Sequence, residues 1–293
     1  MRVLVVAEII AVATDKGGDG KTTVSTVLTD YLSLILKKRT LGIDLDAQLN
    51  YSSRYISVEI DPACKDGKMP SLHPDYEPDV DVEWDGRSSI ANIFYGEEVV
   101  PYPTKIQNLD VMPGYASKLR RAEVVTSEEL LKRLHIRLKE FLMIPEIQNE
   151  YDVIIIDTPG TKGPLTTAAI KAASHMVIPC QMEKYSVDGL YAMLQLWKQE
   201  TYVRSQGDKL ELVGILPNRV RNVSLHNDYL QDLNRGKIKN YVCPHNIKER
   251  IIYSEILSKD EPQNIFSLPK NHVARQESER VCNYIVDKVF NHG

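Results

Sequence analysis

Residues 15–23 read D-K-G-G-D-G-K-T-T, a run whose spacing suits phosphate binding. Gly17, Gly18 and Gly20 let the backbone fold into a nest of N–H groups around an anion. A helix starting after Gly20 would aim its positive end at the same anion. Lys21 offers a point charge to the outer phosphates, Thr22 a hydroxyl for a divalent cation, and Thr23 extends the loop. The strict pattern would have glycine where Asp15 stands, so the match is one of chemistry rather than of every letter. Two charges are surplus to it: Lys16 at the entrance and Asp19 among the glycines.

Further acids stand where strands should end. Asp157 closes the apolar run Y-D-V-I-I-I-D-T-P-G, and a buried strand rarely ends in an unpaired acid without reason. Asp44 and Asp46, in D-L-D-A-Q, are two residues apart and share one face of an extended chain.

These residues need a frame. Residues 9–14, 40–46, 109–114, 151–160, 175–180 and 212–218 are compact apolar runs that stop at Pro, Gly or a polar residue. Helical patterns separate most of them. Residues 22–38 place Val24, Val27, Leu28, Tyr31, Leu32 and Ile35 on one face. In residues 127–144 Ser127 is a candidate cap, followed by Glu128 and Glu129 at the positive end of the dipole. Alternating strand and helix predicts an α/β fold, doubly wound, with a mostly parallel sheet and helices on both faces. With no internal repeat or low-complexity linker, residues 1–293 read as a single domain.

Residues 58–84 depart from the pattern. They carry prolines 62, 70, 74 and 78 and an acidic series, Asp75, Glu77, Asp79, Asp81 and Glu83, with Asp85 just beyond. Prolines and like charges resist regular structure, which predicts a solvated acidic insertion. A partner-binding or DNA-excluding flap is the other reading.

With 43% apolar and 26% charged residues, the 293-residue chain has the composition of a globular protein. A net charge of −4 argues against coating nucleic acid over the whole surface but leaves room for a local basic face. Cys64, Cys180, Cys243 and Cys282 form no C-x-x-C pair and read as reduced thiols of a cytoplasmic protein. The N-terminal run, interrupted by Glu8, reads as strand rather than signal peptide, and no stretch is long enough to span a bilayer.

Residues 16–23, K-G-G-D-G-K-T-T, resemble the deviant Walker A signature of the ParA/MinD family of P-loop ATPases at every fixed position. D-L-D-A-Q resembles the family's first switch, and residues 151–160 its Walker B strand and second switch. Residues 178–190, 215–220 and 243–255 follow in the family's order, so the resemblance runs from about residue 9 to 290 apart from the insertion. It implies ATP and Mg²⁺ as ligands. Lys21 and Asp46 would be catalytic, with Asp46 orienting or activating the attacking water. Thr22, Asp44 and Asp157 would form the metal shell, Gly160 would follow the γ-phosphate, and Asn218 and Pro244 would line the adenine pocket.

The resemblance also gives Lys16 a role: in the family this lysine reaches the phosphates of the partner subunit in an ATP-dependent homodimer, much as an arginine finger does. Asp19 stands where the family has a small or apolar residue. It would either pair with a base of the partner or weaken nucleotide binding or dimerisation.

Among the branches, iron-protein and iron–sulfur-carrier types need paired cysteines, and the tyrosine kinases a tyrosine-rich tail. The MinD type needs a basic membrane helix at the C-terminus, whereas Val281, Ile285 and Val289 suggest a last helix packed on the sheet. The expectation is therefore a cytoplasmic, nucleoid-associated ParA-type partition switch working with a centromere-binding, ParB-type partner and no membrane. In its ATP state it would hold DNA non-specifically. The candidate DNA contacts are Arg219, Arg221, Lys248 and Arg250, in a C-terminal half that also carries Arg204, Lys209, Arg235, Lys237 and Lys239. A MinD-like positioning ATPase and a scaffold that binds nucleotide but hydrolyses it poorly are the alternatives.

Overall fold

The computed structural model describes residues 6–81, 83–258 and 263–291; the side chains of residues 257 and 258 are outside that description. The opening residues of the N-terminal run, 1–5, and Val82 of the acidic segment lie outside it.

A seven-stranded sheet has the order β5-β6-β2-β7-β1-β8-β9. Its members are β1 (Glu8–Val12), β2 (Thr40–Asp44), β5 (Tyr102–Pro103), β6 (Leu109–Met112), β7 (Val153–Asp157), β8 (His175–Gln181) and β9 (Glu211–Asn218). All pairings are parallel except that of the short edge strand β5 with β6. Helices α1 (Lys21–Asp30), α3 (Ala116–Glu123), α4 (Glu128–Leu142), α6 (Pro164–Ala172), α7 (Lys184–Val203), α8 (Ser224–Arg235), α9 (Ile251–Ser258) and α10 (Val273–Phe290) cover it, with short α2 (Ser52–Tyr55) and α5 (Pro145–Glu150) between strands.

The double winding is written in side-chain alternation. Ile9 and Ala11 of β1, with Ile154 and Ile156 of β7, pack in a core shared with α3, α4, α6 and α7. Ile10, Val12, Val153 and Ile155 point the other way, into a core with α1, α9 and α10. Successive strand residues face opposite sides, so a strand covered twice must be apolar throughout. Val281, Ile285 and Val289 of α10 are buried in the second core, as the sequence pattern predicts. Among the described residues no helix is long and apolar enough to cross a membrane.

Two local expectations need amendment. The first helix changes pitch: after Asp30 the chain forms a π-helical turn, Tyr31–Ile35, which leaves Ile35 exposed instead of on the buried face. Ser127 does occupy the N-cap of α4, but its side chain makes no capping bond.

The acidic insertion begins with a short hairpin that its prolines and charges did not predict, while the described residues from 71 to 85 form turns without helix or strand. Strands β3 (Val58–Ile60) and β4 (Lys68–Pro70) form an antiparallel hairpin. The His73 ring packs edge-on to Tyr102 at 4.6 Å and lies 5.6 Å from Trp84, so aromatic burial holds the segment to the sheet edge. Buried Asp61 accepts the Ser117 N–H in the first turn of α3. The acids Asp75, Glu77, Asp79, Glu83 and Asp85 are exposed.

Candidate nucleotide site

The site gathers at the C-terminal ends of β1, β2, β7 and β9, where ligands of open parallel sheets bind. The phosphate loop joins β1 to α1. Gly18 (φ +96°) and Gly20 (φ +79°) adopt left-handed backbone that other residues resist, and a Cβ on Gly20 would sit 2.3 Å from Asn218 Nδ2. That closeness is used: Asn218 Nδ2 donates to Asp19 O at 2.7 Å, tying the end of β9 to the loop. Arg219 donates to Gly18 O at 3.0 Å, and Gln181 Nε2 to the same oxygen.

Lys21 is buried at the start of α1, its Nζ donating to Thr14 Oγ1 and Lys16 O, both at 3.2 Å. Thr22 Oγ1 donates to Asp157 Oδ2 at 2.8 Å, and Ser25 Oγ to Asp157 Oδ1 at 2.7 Å. Asp157 thus clamps the first turn of α1. Ser25 was missed in the sequence, although it lies one turn beyond Thr22 on the same helix face.

Two adjoining cavities share Gly20, Thr23 and Arg219. The first, about 460 Å³, is lined by the phosphate loop, Asp46, Gln48, Asn50, Ser53 and Gly160. The second, about 310 Å³, is lined by Asn218 and by Ile247, Lys248, Glu249, Arg250, Ile251 and Tyr253. Pro244 is exposed and not among these lining residues, so the wall falls a few residues later than the sequence pattern placed it. Asn218 Oδ1 is buried with no hydrogen-bond partner among the described residues. It is an acceptor able to take a donor from a base.

Gly160 packs directly on the loop: a Cβ there would lie 2.9 Å from Gly17 Cα and 3.4 Å from Lys21 Nζ. Asp46 borders the phosphate cavity and accepts the Gln48 N–H at 3.0 Å. Asp44 points elsewhere. Its Oδ1 accepts the Asp46 N–H at 3.0 Å, and its Oδ2 accepts both the N–H and hydroxyl of Ser52 at 2.7 Å. Every one of these bonds is internal to residues 44–52, so Asp44 shapes the segment that carries Asp46. Farther along, a glycine at position 42 leaves room for the buried Tyr51, whose hydroxyl meets Thr29 Oγ1 of α1 at 2.7 Å.

Asp19 turns inward. It is 2% exposed, and its Oδ1 accepts the Ser186 hydroxyl of α7 at 2.7 Å. Burial pushes its carboxyl up from the usual range. Neither earlier expectation for Asp19 foresaw a partner within its own chain. Lys16 lies on the same side, with Nζ 3.5 Å from Ser186 Oγ and 3.7 Å from Glu183.

The expected DNA contacts are largely engaged. Arg219 pairs with Glu249, Arg221 with Glu183 and Glu249, and Arg250 with Glu277, while Lys248 borders the second cavity. Arg204 is a structural clamp, its side chain 4% exposed and donating to the carbonyls of residues 170, 171, 173 and 209. Arg235, Lys237 and Lys239 are exposed and have no ion pair among the described residues.

A strand, a glycine loop and a helix around phosphate-sized space, with acids at the neighbouring strand ends, define a P-loop nucleotide-binding protein. A family model described as an AAA domain matches residues 7–206. The chain is 34% identical over 184 residues to a ParA family protein of Chlamydia trachomatis, covering 62% of this chain and 61% of that one, so the match spans about three fifths of the relative's length. It is 25% identical over 289 residues to a virulence plasmid ParA family protein of Chlamydia psittaci, covering 96% and 95%. In fold it is similar to a McdA variant of Cyanothece, solved as an ATP complex, with a TM-score of 0.72 at 17% identity over 96% of each chain. The chain belongs to the ParA/MinD family of P-loop ATPases.

Proposed function

We propose that this protein is an ATP-dependent dimerising switch of the partition type, which holds DNA non-specifically in its ATP state and lets go on hydrolysis. The observation that carries the reading is the pair of adjoining cavities. One offers an anion nest, Lys21 and Asp46, and the other offers the unpartnered Asn218 carbonyl. That oxygen suits the exocyclic amine of adenine and opposes the carbonyl that guanine carries in its place.

Thr22 and Asp157 present the hard oxygens Mg²⁺ takes, and the ion would neutralise charge on the phosphates. Lys21 turns its ammonium from Thr14 and Lys16 O towards the outer phosphates, and the loop N–H groups hold their oxygens. Asp46 orients the attacking water from the rim of the cavity, held there through Asp44 and Ser52. Gly160 brings a backbone N–H to the γ-phosphate end. Lys16 leaves Glu183 and Ser186 to reach the partner's phosphates, which makes dimerisation depend on nucleotide. Arg235, Lys237 and Lys239, the exposed bases at the end of α8, are the better DNA contacts, with Lys248. The partition role draws support from the plasmid-borne relative, and it implies a separate centromere-binding partner of the ParB type.

Binding to random-sequence duplex DNA with ATP, with ADP and without nucleotide tests the reading, for wild type and Lys16→Ala. ATP-specific binding that Lys16→Ala abolishes supports it. Indifference to DNA in every state sinks the partition role.

A further inference from the structure

Glu123, the last residue of α3, plays no part in the phosphate chemistry above. Its Oε2 lies against Gly163, beside the N–H of Leu165 at the start of α6. Pro164 is the first residue of that helix and has no N–H, so Leu165 carries the first free donor, and a negative charge there also suits the helix dipole. Gly163 permits the approach, since a Cβ on it would lie 2.0 Å from Glu123 Oε2. The other oxygen, Oε1, is buried and has no hydrogen-bond partner among the described residues. Burial, and then the charge of Asp46, push the Glu123 carboxyl up from its usual range, so Asp46 stands within electrostatic reach. A carboxylate kept in such a place is costly unless its position matters.

We propose that Glu123 is a positioning residue for ATP hydrolysis: it pins the far end of residues 158–163 to α3 and so sets where Gly160 lies on the phosphate loop. Residues 158–163 are held at one end by Asp157, which closes β7, and at the other by this acid. Gly160 sits between the two anchors in contact with Gly17. Thr166 Oγ1 donates to Thr161 O at 2.6 Å, so slack at the Glu123 end shifts the start of α6 and reaches Gly160 through Thr161. The Gly160 N–H has to meet the phosphate within a fraction of an ångström. The anchoring is a statement about this chain alone, while its catalytic consequence rests on the ATPase reading.

The test compares wild type, Glu123→Ala and Glu123→Gln in the full chain by hydrogen exchange over residues 158–168 and by steady-state ATP turnover. Gln keeps an oxygen for the Leu165 N–H and Ala does not. Glu123→Ala should exchange about tenfold faster in this segment. Its kcat should fall about ten- to a hundredfold, with KM for ATP within about twofold. Glu123→Gln should recover most of both. Wild-type exchange in Glu123→Ala overturns the anchor. Faster exchange with undiminished kcat overturns the positioning role, as does a parallel loss of kcat and ATP affinity that Gln does not rescue. If wild type itself turns over no ATP, the ATPase reading fails, and the exchange arm still decides the anchor.

Discussion

Asp44 and Asp157 are register partners at the ends of β2 and β7, and both are fully buried. Burial is the main cause pushing both carboxyls up, and for Asp44 the neighbouring Asp157 charge adds to it. Two like charges in this setting cost stability in the absence of a counter-ion. Asp157→Asn keeps the shape and the contacts to Thr22 and Ser25 while removing one charge. It should raise stability at pH 8 by about 1–2 kcal/mol, about 2–3 °C in Tm by scanning calorimetry. The same variant should lose Mg²⁺-dependent ATP turnover. A lower Tm would mean the acid pair is better compensated than its burial implies.

Asp19 lies in the glycine loop, its carboxylate buried against the Ser186 hydroxyl. Asn at this position can still accept the Ser186 hydroxyl. Removing the charge should tighten ATP binding about threefold to tenfold, on the order of 1 kcal/mol. Isothermal titration with ATP checks it. Weaker binding would show that Asp19 is needed to hold Lys16 and the loop in place.

Arg54 of α2 and Asp30 of α1 form an ion pair at 3.4 Å with both side chains 2% exposed, and Tyr55 donates to the same carboxylate at 3.1 Å. Burial pushes Asp30 up to about 6 in spite of Arg54. Arg54→Met leaves that carboxyl without its cation and should cost about 3–5 kcal/mol at pH 8. Asp30 already has a raised folded-state value, so its contribution to stability is present at acid pH and is lost as the pH rises through about 6. Without Arg54 the value rises further. The penalty should therefore shrink towards pH 5, where the carboxyl takes a proton. Urea titrations at pH 5 and pH 8 read the difference, and equal penalties at both would contradict the argument.

Much of the site was legible in the sequence because it is local. Residues 16–23 carry the loop, the helix start and the glycines in one run, and Asp46 and Asp157 stand at the ends of apolar strands. Contacts made across the chain were not legible. Nothing near Asp19 in sequence announces Ser186, 167 residues away. Asp44 and Asp46 look alike as an i, i+2 pair, yet one serves Ser52 and the other the cavity. The basic residues near the end of β9 read as a free surface until Glu183, Glu249 and Glu277 are seen beside them. Nothing in the sequence showed how the insertion is held, because ring packing by His73, Trp84 and Tyr102 leaves no periodic signal.

ATP should make this chain dimerise through Lys16. Light scattering on the size-fractionated protein measures it directly, with Mg²⁺ and ATP, with ADP, and without nucleotide. Wild type should double its mass with ATP alone, and Lys16→Ala should bind ATP yet stay a monomer. A wild type that remains monomeric with ATP, or dimerises regardless of nucleotide, would contradict the account.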